Sequence, residues 1–143
     1  MTSDGFLGQN LPDEVYGGSL TAFFGHGILV LEDVSSEAHH SSWDPDVEAL
    51  HLDADSLYVE VGASVVGPVR VDLFVDEPPE IFVDGLIVRL QTVLETPSLT
   101  VRIRDSDDQA SMKVDVLGGV QDMTVYTNGS DWVDRVVIVL IAR

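Results

Sequence analysis

The chain has 143 residues, 45% of them apolar and none of them cysteine. That length suits one domain burying roughly 70% of its unfolded surface, and the missing cysteine excludes disulfide staples, thiolate metal sites and thiol catalysis. Its 25 acidic against 7 basic residues give a formal net charge of −18, which repels phosphate backbones and anionic membranes and attracts cations or a basic protein.

Residues 1–69 hold no lysine or arginine at all, the first basic residue being Arg70. Within them, residues 1–18 read as a loop or arm punctuated by Pro12 and Gly17-Gly18. This start has neither a basic region nor an apolar run of the kind that opens a signal peptide, so a cytoplasmic location is expected. The longest apolar run, Val136 to Ala142, falls far below the ~20 residues that cross a bilayer. Strand-like segments Ser19–Phe24 and Ile28–Asp33 flank Gly25-His26-Gly27, a three-residue hairpin signal.

The stretch Ser35–Asp55 breaks the alternating pattern. It carries His39, His40 and His51, Trp43, and the carboxylates Glu37, Asp44, Asp46, Glu48, Asp53 and Asp55. Asp44 is a good helix N-cap, Pro45 suits the first helical position, and Asp46 and Glu48 suit the first turn, where the helix dipole favours acid. A short helix from Asp44 is therefore expected, with Val47, Leu50 and His51 on one side and Trp43 either capping the core or serving as an exposed interface anchor.

Alternation then resumes. Leu57, Val59 and Val61 share one face, as do Val69, Val71, Leu73 and Val75, which turns Arg70 and Asp72 toward solvent. The acidic, proline-containing 76–80 connection excludes helix and central strand. Ile81 to Leu94 is strand-like, with Asp84-Gly85 as a turn or bulge inside it. Leu99, Val101 and Ile103 point inward and Arg102 and Arg104 outward. Met112–Val116 places Lys113 and Asp115 outside, and Asn128-Gly129 is a turn signal. The run Val133–Ala142, rich in β-branched residues, reads as a central strand covered on both faces. The pattern predicts a single all-β domain over residues 1–143, a two-sheet sandwich or jelly-roll-like fold of eight or nine strands with at most one short helix.

Histidines and carboxylates of the 35–55 stretch are metal-ligand types, and a divalent-metal module or enzyme using His39, His40 and His51 is one reading. Their spacing fits no metal motif, and two adjacent histidines on a strand face opposite ways. Asp44-Pro-Asp46 and the acidic 105–108 loop lack the glycine and glutamate of a calcium loop. No GxSxG, GxGxxG or GxxxxGK[ST] motif is present. A non-enzymatic protein with no cofactor is expected. A self-associating β-domain using Phe74 and Phe82 is another reading, unless a bulge turns these rings into the core.

The layout also resembles the competence protein J family, inhibitors of a DNA-entry nuclease. The resemblance rests on Leu20–Phe24, then Trp43-Asp44-Pro45-Asp46, then the strand Leu57–Val61, then Val69–Val75 running into the acidic proline connection, and a closing meander. It departs from the family at His51, where a glycine is expected, and in its more apolar closing segment. The resemblance implies a β-sandwich and a nuclease antagonist. With the charge pattern, the leading reading is an acidic protein-binding module whose carboxylates mimic phosphates and occupy a basic partner's groove. The partner-binding residues would be Asp44, Asp46, Glu48, Asp53 and Asp55, with Trp43 as apolar anchor, and there would be no direct contact with nucleic acid or membrane. The same acidity also serves solubility or a saline habitat.

Overall fold

The computed structural model describes residues 16–40, 43, 44, 48–62, 67–129 and 132–143. Ten strands follow one another: β1 (Tyr16–Ala22), β2 (Ile28–Asp33), β3 (Leu50–Asp53), β4 (Ser56–Glu60), β5 (Val69–Phe74), β6 (Ile87–Glu95), β7 (Thr100–Asp105), β8 (Ser111–Asp115), β9 (Val120–Thr127) and β10 (Arg135–Ala142). They form two five-stranded sheets, the first in the order β1-β5-β10-β9-β6 and the second in the order β3-β4-β2-β7-β8. The all-β sandwich is thus as expected. The count exceeds eight or nine partly because β3 lies inside the stretch that seemed non-β. It pairs with β4 through a tight turn at Ala54-Asp55, with Ala54 at φ 52°. Leu50 and His51 accordingly belong to a strand and not to a helix.

Period-two alternation builds the core. Leu29, Leu31, Leu57, Val59, Val101 and Ile103 of the second sheet meet Val71, Leu73, Met123, Val125, Val136, Ile138 and Leu140 of the first, all essentially inaccessible. Pairing is antiparallel except between β5 and β10, whose parallel register runs from Arg70 opposite Arg135 to Phe74 opposite Val139. β10 lies centrally, as its apolar run requires. Its second face carries Val137 and Val139, which pack with Phe74 beneath Phe82, Val83 and Leu86.

That outer cluster corrects the expected strand at Ile81. The chain makes a 3-10 turn at Glu80–Phe82 and turns again through Gly85, at φ 81°, so β6 starts only at Ile87. Burying Phe82, Val83 and Leu86 across the back of the first sheet needs a turn period rather than a strand period. Phe74 and Phe82 are therefore covered by their own chain, with ring centroids 5.3 Å apart.

Three other expectations change. Gly25-His26-Gly27 does not close a hairpin: β1 pairs with β5 and β2 with β4 and β7, so this turn carries the chain from one sheet to the other. Leu99 is 48% exposed, in a turn at φ 60°. Asp72 is fully buried rather than solvent-facing, held on the outside of the first sheet by the Tyr16 hydroxyl at 2.9 Å and by Arg70 and Arg135 at 3.0 and 3.7 Å.

The two sides of the sandwich differ. On one, β1 lies tight against β8: a Cβ on Gly17 would come within 3.0 Å of both the Leu73 carbonyl and Val114 Cγ1. On the other, edge strands β3 and β6 face each other across a cleft of about 340 Å³.

Candidate functional site

Alternation on the second sheet turns one set of side chains outward. Registration aligns them in two rows across the strands: His51, Tyr58, Val30, Arg104 and Ser111 in one, Asp53, Ser56, Glu32, Arg102 and Lys113 in the next. The chain after β2 folds back over this face. Asp33 fixes its start by accepting the Ser35 N–H and hydroxyl and, from across the sheet end, the Ser98 N–H at 2.9 Å. Ser36 Oγ donates to Asp55 Oδ1 at 2.7 Å. His40, in the left-handed region at φ 51°, is then buried with its ring stacked on Tyr58 at 3.7 Å. Trp43 meets the Tyr58 ring edge-on and donates its indole N–H to the Glu48 carbonyl at 2.8 Å.

A continuous polar chain runs beneath. Glu32 Oε2 receives Arg102 Nη2 at 2.8 Å and Arg104 Nε at 3.0 Å, while Ser56 Oγ donates to Oε1 at 3.3 Å. Ser56 in turn lies 2.8 Å from His40 Nε2, and His40 Nδ1 lies 2.8 Å from His51 Nδ1. The carboxylate accepts only, so it sets the direction of every proton in the series. Ser56 donates to Glu32 and accepts from His40 Nε2–H, which leaves His40 Nδ1 as the acceptor for His51 Nδ1–H.

With His51 carrying its proton on Nδ1, protonating His40 would set two N–H groups against each other, so this tautomer arrangement goes with the neutral His40 ring. Burial, and secondly the facing His51, push His40 below the ordinary histidine value of 6.5 against the opposing pull of Asp53, Glu32 and Asp55. Burial raises the Glu32 carboxyl, but Arg102 and Arg104 more than offset it and leave it below 4.5. Asp33 behaves alike: its hydrogen bonds outweigh burial and hold it below 3.8.

For all three groups the folded value lies below the unfolded one, so the unfolded chain binds protons first and stability falls as pH falls. The His40 contribution is complete above about pH 6.5 and declines below it, whereas those of Glu32 and Asp33 decline only below their own ordinary values. Urea midpoints should therefore drop as pH falls below about 6.5, and His40→Gln should flatten that decline while keeping the steeper loss below about pH 4.5. An unchanged slope in the variant would remove His40 from the account.

The predicted partner-binding residues divide. Asp44, Glu48 and Asp53 are exposed. Asp55 is half-buried and holds Ser36. Trp43 is half-buried and braces the flap against Tyr58. Asp46, with Pro45 and Val47, lies outside the described residues. The expected helix start survives as one hydrogen bond, the Glu48 N–H to the Asp44 carbonyl at 3.0 Å. Of the histidines, His40 and His51 meet while His39 is exposed. Among the described residues no group of three or more histidine or carboxylate side chains is arranged to hold a metal.

Glu32, Ser56 and Tyr58 were not singled out by sequence, whereas Arg102 and Arg104 were expected outward and do pair across strands with an acid. The signal was present: an acid ending the apolar run of β2 and two arginines at alternate positions of β7. Strand order was needed to bring them together.

No protein-family model matches the sequence, and no curated protein matches it. Among solved structures, the fold matches ComJ from Bacillus subtilis, described as the inhibitor of the DNA-degrading activity of NucA. The TM-score is 0.70 at 11% identity, covering 90% of this chain and 98% of that one. It also matches the protein of crocagin biosynthetic gene J, with TM-score 0.54 at 13% identity over 91% and 97% of the two chains. The chain therefore has a ComJ-like fold, as the resemblance implied.

Proposed function

We propose that this protein is a non-enzymatic antagonist that binds a basic nuclease through its acidic flap. The observation that carries the reading is the fold likeness to a nuclease inhibitor over 90% of the chain. The charge supports it: residues 1–69 have no lysine or arginine, and Asp44, Glu48 and Asp53 project from a flap whose underside is locked by His40, Tyr58 and the Glu32 chain. A preorganised carboxylate surface offers a basic groove the charge of a phosphate backbone without the entropy loss of ordering a loose loop. Trp43 braces the flap against Tyr58, and the sequence adds Asp46 to the carboxylates of this segment.

The test is a titration of the purified protein into a DNA-cleavage assay of a basic nuclease from the same organism. Inhibition should be stoichiometric and fall steeply with added salt. Asp44→Asn, Asp46→Asn and Glu48→Gln combined should weaken it by about 100-fold, mainly through slower association, with folding of the variant checked by circular dichroism. Inhibition indifferent both to salt and to the triple substitution would remove phosphate mimicry from the reading, and absence of any inhibition would end it.

A further inference from the structure

The unequal sides of the sandwich point to a second binding surface. We propose that the seam between β3 and β6 receives an extended basic segment of another protein, which adds as a strand along β6 and seats one apolar side chain in the cleft.

β6 is nine residues long and stands at the edge of the first sheet. Its backbone direction is set by the Glu95 N–H, which points away from β9 and donates to the Ala54 carbonyl at 3.0 Å. Successive residues of a strand alternate sides, so the N–H and C=O groups of Val93 and Gln91 point into the seam as well. The Glu95–Ala54 hydrogen bond shuts one end. The seam opens toward Arg89, six residues away or about 20 Å along an extended chain, where the β6–β9 register shifts between Val88 and Leu90. Among the described residues no strand pairs with this edge, and an open edge of that length is a template for another strand, one that native chains usually shorten or cover.

The cleft supplies a side-chain pocket beside the template. Leu50, Val61 and Val133 form its apolar wall, and Trp132, 63% exposed, stands beside them. Ile87 and Val88, each about half exposed, begin β6 at the open end. Charge selects the occupant. Glu60 lines the cleft and Glu95 ends β6, both of them exposed. Among the described lining residues Arg89 is the cation, and its guanidinium is directed to Thr127 Oγ1 at 3.4 Å. Carboxylates thus outnumber cations along the seam, and lysine or arginine at alternate positions of an added strand, with valine or leucine between them, complements both features.

The proposal is independent of nuclease inhibition, because its test uses peptides alone. The probe is a fluorescein-labelled heptapeptide of alternating lysine and valine, read by anisotropy with the full chain, with amide exchange followed along β6. Binding with slowed exchange at Gln91 and Val93 is expected. A matched peptide with proline replacing each valine, unable to pair as a strand, should bind at least about tenfold more weakly, since an edge hydrogen-bond pair and one buried side chain are lost. Gln91→Pro removes one seam-facing donor without touching the β9 ladder, and Trp132→Ala trims the exposed cleft wall. Each should weaken binding by a similar factor, and Glu60→Gln should reduce its salt dependence. Equal binding of the proline peptide, or affinity unchanged in both Gln91→Pro and Trp132→Ala, would overturn the proposal and leave only unspecific attraction between opposite charges.

Discussion

Phe74→Ala is expected to cost about 3–5 kcal/mol of stability and to leave the oligomeric state as it is. Phe74 is fully buried on the back of the first sheet, with Val137 and Val139 beside it and the Tyr16 and Phe82 rings at 5.2 and 5.3 Å. The 76–86 segment covers it, so the cavity left by truncation lies within one chain. Urea denaturation measures the loss and sedimentation the mass. If these rings instead formed the contact between copies, the variant would dissociate at little cost to the protomer. Phe82→Ala should cost less, because Phe82 is only partly buried.

Glu32→Gln should destabilise the fold by about 2–3 kcal/mol, below the usual cost of breaking a fully buried ion pair, because Arg102 and Arg104 keep some access to solvent that screens them. The substitution preserves shape but leaves two guanidinium groups facing each other across an uncharged amide. It also removes the acceptor that orients Ser56 and, through it, His40. Amide exchange should therefore quicken in residues 34–40, well beyond the immediate neighbours. A triple variant with leucine at Glu32, Arg102 and Arg104 should recover most of the loss, since the cost comes from unpaired charge and not from missing volume. If Glu32→Gln matches the parent in both stability and exchange, the polar chain does not hold the flap.

The edge strands and the flap show how far local pattern reaches. The alternation of Leu57, Val59 and Val61, and of Val69, Val71 and Leu73, names the core correctly, because one face of a half-buried strand must be apolar wherever the strand pairs. It fails at Asp72 and Leu99, and it assigns nothing to Glu32. Asp72 and Glu32 occupy outward positions, yet outward is not exposed when the outer face is itself covered. Tyr16 and the arginines cover one, and the flap covers the other. Leu99 follows the period but lies in a turn whose positive φ carries its side chain away from the sheet.

The sequence by itself determined the class and the charge. Period-two apolar spacing, turn residues at short intervals and a β-branched closing run admit an all-β sandwich with β10 at its centre. A cation-free first half fixes an acidic surface whatever the topology. Only the tertiary structure decided which strands are neighbours, and everything site-like depends on that. It joined β2, β4 and β7 so that Glu32 meets Ser56 and two arginines more than sixty residues away. It set His40 against His51 and left β3 and β6 facing across an open seam. The physical reason is that alternation specifies the face of a residue but not its partner strand. Pairing is chosen by long-range burial of whole faces, which no local window of the sequence contains.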